Sequence, residues 1–179
     1  MVRGREEVTG VLLVGGASAR FGSPKALAEF RGEPLAVRAH RLLVETFDRV
    51  LVVGKEADAL ELPFAVEDDG SDERAAIVGV TAALRLAESD LCVVLPTDMP
   101  LVSAQLLQAL AAGAEGVDAA IVQTGPLPGA YRRSALPVLE RRVAAGELAL
   151  HRALAELETR VVNVDPGQLR NVNTPADLA

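Results

Sequence analysis

Between Leu12 and Leu27 the chain gathers residues that can hold a phosphate: Gly15, Gly16, Ser18, Arg20, Gly22 and Lys25, in the run LLVGGASARFGSPKAL. Two adjacent glycines at the end of an apolar stretch let a ligand approach the backbone closely. Amide N–H groups, a hydroxyl and two fixed cations then make a cradle for an anion. The spacing excludes two familiar cradles. Ser23 and Pro24 separate Gly22 from Lys25, which breaks the Walker A pattern, and the adjacency of Gly15 and Gly16 breaks the Gly-x-Gly-x-x-Gly dinucleotide fingerprint.

A second run, LCVVLPTDMPLV, presents Asp98 between Pro96 and Pro100 directly after an apolar stretch. Magnesium takes oxygen ligands, usually one or two carboxylates with phosphate oxygens and water completing the octahedron. A carboxylate on a proline-flanked turn suits that use, and Asp98 is therefore the candidate ligand for Mg2+. Cations at one strand end and a metal-binding acid at another point to chemistry on a phosphate chain.

Positioning these groups requires strands that end at one edge, and the pattern of apolar periods and breakers supplies them. Strands are predicted at Val8–Val14, Arg49–Val53, Phe64–Val66, Asp90–Leu95, Ala119–Thr124 and Thr159–Val164. Helices are predicted at Leu35–Thr46, Ile77–Ala87, a segment capped by Ser103 and running to Ala112, Ala135–Ala145 and Leu148–Leu157. Gly125–Gly129, with two prolines, reads as a shaped loop after a strand. The alternation implies an α/β fold: a single-domain, Rossmann-like three-layer sandwich with a mostly parallel sheet, spanning 1–179. Ligands of such sheets bind at the carboxyl ends of the strands.

Composition narrows the partners. A net charge of −7 over 179 residues disfavours nucleic acid and anionic membranes, whose binding rests on Lys and Arg neutralising phosphates. One cysteine, Cys92, excludes an intrachain disulfide, and its apolar strand makes it a buried thiol. Met1–Glu7 is charged, without the apolar region of a signal peptide, and a cytoplasmic enzyme is expected.

With these motifs in place, the sequence resembles the molybdenum cofactor guanylyltransferase (MobA) family of nucleotidyltransferases, whose fold is of the nucleotide-diphospho-sugar transferase type. Four segments carry the resemblance in order: the glycine loop, PTDMP, GPLPGAYRR (Gly125–Arg133) and NVNTPADL (Asn171–Leu178). The resemblance implies that Leu13, Gly15, Gly16, Lys25, Asp69 and Asp98 bind the nucleotide, with Asp69 helping to read guanine and Asp98 holding magnesium. It implies that Asn171 and Asn173 face the pterin acceptor, with Gly129 and Tyr131 shaping its loop. The implied substrates are GTP and molybdopterin, with molybdenum-insertion or target enzymes as transient partners. The chain departs from the family at Phe21, Pro24, Gly54 and Ala75–Val78. A cytidylyltransferase and a sugar-phosphate nucleotidyltransferase therefore remain alternatives.

The expected reaction is in-line attack by an acceptor phosphate on the α-phosphorus of the triphosphate. Arg20, Lys25 and Asp98 would carry it by charge neutralisation. Arg132 and Arg133 are candidates for gripping acceptor phosphate as well as for plain surface charge. Asp68 is an alternative to Asp69; Glu67, Asp68, Asp72 and Glu73 read as a solvated acidic loop, and His40 and His151 are expected to face water.

Overall fold

The computed structural model describes residues 7–15 and 24–178, and of the expected site residues Gly16 and Arg20 lie outside this range. In chain order the strands and helices are β1 (Val8–Leu13), β2 (Glu29–Phe30), β3 (Glu33–Pro34), α1 (Leu35–Thr46), β4 (Arg49–Gly54), β5 (Glu67–Asp68), α2 (Ala76–Leu86), β6 (Leu91–Pro96), α3 (Ala104–Gly113), β7 (Ala119–Val122), β8 (Gly125–Arg132), α4 (Leu136–Ala144), α5 (Leu150–Ala153) and β9 (Thr159–Val162). Seven strands form the main sheet in the order β5-β4-β1-β6-β8-β7-β9, and β2 pairs with β3 in a separate hairpin. Within the main sheet β8 alone runs against its neighbours.

Strands β1 and β6 read VTGVLL and LCVVLP and are buried on both faces, as parallel central strands require. Leu12, Val93 and Leu95 pack on one side with Ala39 and Leu43 of α1 and Leu106, Leu107 and Leu110 of α3. Val11, Cys92 and Val94 pack on the other with Ile77, Val80 and Leu84 of α2 and Leu139 of α4. The result is the expected three layers. Ser103 caps α3 as its type predicts, its Oγ accepting from the Leu106 amide at 3.2 Å.

Two elements differ from the sequence reading. The strand predicted at Phe64–Val66 lies later, at Glu67–Asp68. Leu60, Leu62, Phe64 and Val66 alternate like a strand because they pack one after another on the α1 side of the core, before any ladder forms. Phe64 reaches His40 there, the rings stacked 4.0 Å apart, so His40 does not simply face water and its loss of solvent lowers its pKa.

Gly125–Gly129, predicted as a loop, opens strand β8. Its register explains the conflict. Ile121 pairs with Gly129 but the next residue, Val122, pairs with Gly125, so residues 126–128 stand out of the ladder. Pro126 and Pro128 thus occupy positions where no N–H is needed, and the strand bulges where the prolines dictate. On the other side β6 pairs only with Gly129–Arg132, which leaves the bulge beside the end of β6.

Candidate active site

A cleft of about 660 Å³ lies where β1, β4, β5 and β6 all end. Leu13, Gly15, Lys25, Asp69 and Asp98 line it together, although they come from segments far apart in sequence. Gly15 follows β1 with φ +127°, a conformation open to glycine and strained for other residues.

Lys25 and Asp98 meet across this cleft. The Lys25 Nζ stands 3.3 Å from Asp98 Oδ2, with 22% and 28% of their side chains exposed. Asp98 is carried on the turn after β6, and Lys25 opens a short 3-10 turn running to Leu27. A cation and a carboxylate in solvent contact can be parted by a ligand that satisfies both, as a phosphate with its metal does.

Asp69 lines the cleft just past β5. Its amide donates to the Gly54 carbonyl at 2.8 Å, and its carboxylate accepts both from Lys55 Nζ, at 2.9 and 3.0 Å, and from the Ser71 amide. Asp68, the alternative, spends its carboxylate on the amides of Glu56 and Gly70 and does not line the cleft. Gly54 has no room for a side chain, because a Cβ there would lie 2.5 Å from the Val14 carbonyl oxygen.

Asp58, close to Gly15, and Arg74 also line the cleft, the guanidinium gripping both carboxylate oxygens and holding the Asp58 carboxyl below its ordinary range.

The C-terminal segment reaches the same place. The Val172 amide donates to the Asp98 carbonyl at 2.7 Å, while Asn171 and Asn173 on either side are exposed. Asp177 fixes the turn that follows, accepting from the amides of Asn173 and Thr174 and from the Thr174 hydroxyl.

The structure sharpens three sequence expectations here. Gly129 and Tyr131 are buried, and the Tyr131 hydroxyl donates to the Pro126 carbonyl at 2.6 Å. From their buried positions they shape the bulge, and Leu127 at the bulge lines the cleft. Arg132 and Arg133 lie at the opposite end of β6, bound to Asp90 and Ala114 and to Ala87 and Ser89 respectively. Glu67, Asp68, Asp72 and Glu73 are exposed as expected, while Asp69 among them is nearly buried.

The model of the MobA-like NTP transferase domain family matches residues 10–161. The chain belongs to this family. A probable molybdenum cofactor guanylyltransferase of Chloroflexus aggregans is 35% identical, covering 96% of this chain and 91% of its own. The molybdenum cofactor guanylyltransferase of Pseudomonas putida is also 35% identical, covering 94% of each. The crystal structure of molybdopterin-guanine dinucleotide biosynthesis protein A from Archaeoglobus fulgidus superposes with a TM-score of 0.79 at 27% identity, over 95% of this chain and 94% of that one.

In this MobA-like transferase the sequence motifs did not reveal Lys55, Asp58, Arg74 or Leu127 as cleft residues. No motif marks Lys55, which the fold alone brings against Asp69 at the cleft.

Proposed function

We propose that this chain transfers GMP from GTP to molybdopterin, releasing pyrophosphate and forming molybdopterin guanine dinucleotide. The observation that carries the reading is the Lys25–Asp98 pair at the strand ends, in a chain 35% identical over nearly its whole length to guanylyltransferases of the molybdenum cofactor.

The terminal phosphate of the acceptor is already anionic at neutral pH and needs no base. One of its oxygens bonds to the α-phosphorus as the bond from that phosphorus to the bridging oxygen breaks. Pyrophosphate departs with the electron pair. The barrier is the meeting of two anions, so positioning and charge neutralisation do the catalysis. Lys25 places an ammonium against the phosphate chain, Gly15 and Gly16 offer backbone, and Arg20 adds a second cation. Leu13 lies against the nucleoside, and Asp69 accepts from the guanine edge. Asn171 and Asn173 meet the acceptor from the tail that Val172 ties to Asp98. Gly129 and Tyr131 hold the bulge beside it.

The donor set suits a magnesium ion. Asp98 brings one accessible carboxylate, and among the described residues no three acidic, histidine or cysteine side chains cluster. Magnesium binds that way, through one or two carboxylates and substrate phosphates, rather than in an all-protein cage. When bound at Asp98 it would neutralise charge on the phosphates, adding to what Lys25 supplies.

No helix among the described residues is long and apolar enough to cross a membrane. The reading includes a cytoplasmic enzyme without nucleic acid or membrane partners. It hands its product on through transient contact with molybdenum-insertion or target enzymes.

Calorimetry with GTP, CTP, ATP and UTP in the presence of magnesium tests the substrate. GTP is expected to bind selectively and to weaken in Asp98→Ala. A preference for CTP or UTP would move the chain to a cytidylyl or sugar-phosphate reaction.

A further inference from the structure

The chain contains sixteen arginines but only two lysines, Lys25 and Lys55, and both line the cleft. Each faces an aspartate, and the two pairs are built differently. Lys25 and Asp98 are 3.3 Å apart and about a quarter exposed, at 22% and 28%. Lys55 and Asp69 are 2.9 Å apart and nearly enclosed, at 10% and 9%.

The hydrogen bonds of the second pair can be counted. An ammonium has three N–H donors. Those of Lys55 meet Asp69 Oδ1, Asp69 Oδ2 and the Ser71 carbonyl, at 2.9, 3.0 and 2.5 Å. None is left for a ligand. On Asp69, Oδ1 accepts from Lys55 and from the Ser71 amide, whereas among the described residues Oδ2 accepts from Lys55 alone. A carboxylate oxygen takes about two bonds, so Oδ2 keeps one acceptor site in a carboxylate whose orientation is fixed on every other side. A compact ammonium suits this corner better than the planar fork of arginine, which would turn the carboxylate to match itself.

We infer that Lys55 is a positioning residue for base recognition, aiming the remaining Asp69 acceptor site at the 2-amino group of guanine. The inference rests on the GTP reading above. Guanine alone among the four bases carries an exocyclic amino group at C2, so an acceptor site fixed opposite that position selects for it. Lys55 acts through Asp69 and touches no substrate itself.

The scarcity of lysine makes the test direct. The protein labelled with 13C at the lysine ε-carbons gives two side-chain signals, assigned with Lys55→Arg. Inorganic triphosphate with magnesium is expected to move the Lys25 signal alone, and GTP with magnesium to move both. If GTP moves Lys25 and leaves Lys55 unchanged, Lys55 has no part in base recognition and the inference is overturned. If neither ligand moves either signal, the GTP reading itself falls, and the inference with it.

Kinetics supply a second arm through ITP, which lacks the 2-amino group. The wild type should favour GTP over ITP by about tenfold, the worth of one hydrogen bond to a charged acceptor. In Lys55→Met that preference should shrink to within about threefold of parity, with KM for GTP raised about tenfold and kcat changed by less than about threefold. Equal losses with both nucleotides would make Lys55 a structural residue only and would overturn the inference. Removing one partner of an enclosed ion pair can unfold a protein. Should Lys55→Met fail to fold, the labelling experiment decides alone.

Discussion

The Val172 amide donates to the Asp98 carbonyl at 2.7 Å, so the C-terminal segment is hydrogen-bonded to the turn that presents the Asp98 carboxylate to the cleft. The bond makes the tail part of the cleft's wall. Val172 is itself buried against Phe30 and Leu35, which holds the exposed Asn171 and Asn173 on either side of an anchored residue.

Ending the chain after Arg170 removes that bond, the burial of Val172 and the partly buried Leu178 packed on the same cluster. Burying a valine side chain alone is worth about 1.5–3 kcal/mol, which corresponds to a fall in Tm of roughly 3–12 °C for a domain of this size. Guanylyl transfer should fall much further, by on the order of 100-fold, because the acceptor loses Asn171 and Asn173 along with the tail. Thermal melts and product formation measured on one preparation check both. Transfer that falls only in proportion to the folded fraction would make the tail purely structural.

Lys25→Ala and Asp98→Asn should each lower kcat/KM by about 100- to 1000-fold, the usual effect of losing one preorganised charge contact. Both side chains are partly exposed, so circular dichroism should show the fold intact. Pyrophosphate release gives the rate, and turnover within about threefold of wild type in either variant is incompatible with the assigned role.

Most of this architecture was legible in the residues. Alternating strand and helix periods gave the three layers, and the LCVVLP and VTGVLL runs gave two central strands. Ser103 gave the start of α3. The signals failed where a local pattern had two physical outcomes. Leu60, Leu62, Phe64 and Val66 alternate because they pack on the core, yet they form no ladder. Pro126 and Pro128 mark a break in pairing, and that break proved to be a bulge inside β8 rather than a loop beyond β7. Lys25 and Asp98 stand in recognisable motifs; Lys55 becomes visible only when the fold brings Ser71 and Asp69 around it.

Tyr131→Phe tests the bulge. Burial raises the Tyr131 phenol well above its usual range, so it stays protonated and donates to Pro126. Losing the hydroxyl leaves that carbonyl short of a donor, at a cost of about 1–2 kcal/mol. Tm should drop by roughly 2–8 °C, and GTP binding should be less affected than acceptor turnover. An unchanged Tm would mean that the bulge does not depend on Tyr131.

The Asp177 carboxyl is held below the ordinary aspartate range by hydrogen bonds, first from the Asn173 amide, then from the Thr174 amide and hydroxyl. A carboxyl with a lowered folded pKa contributes stability that is present above its unfolded pKa, about 3.9, and is lost as pH falls through the folded value. Asp177→Ala should therefore melt below wild type at neutral pH, and the gap should close as pH falls below about 4. Melting curves across that range check the sign; a gap that widens in acid contradicts it.

The central claim is attack at the α-phosphorus of GTP, and the most direct measurement follows a label. Molybdopterin, magnesium and the enzyme are incubated with GTP carrying 32P at either the α or the γ position. The account predicts that α label appears in the pterin dinucleotide and γ label in pyrophosphate. Gamma label on the pterin, or α label left wholly in the free nucleotide, would contradict it.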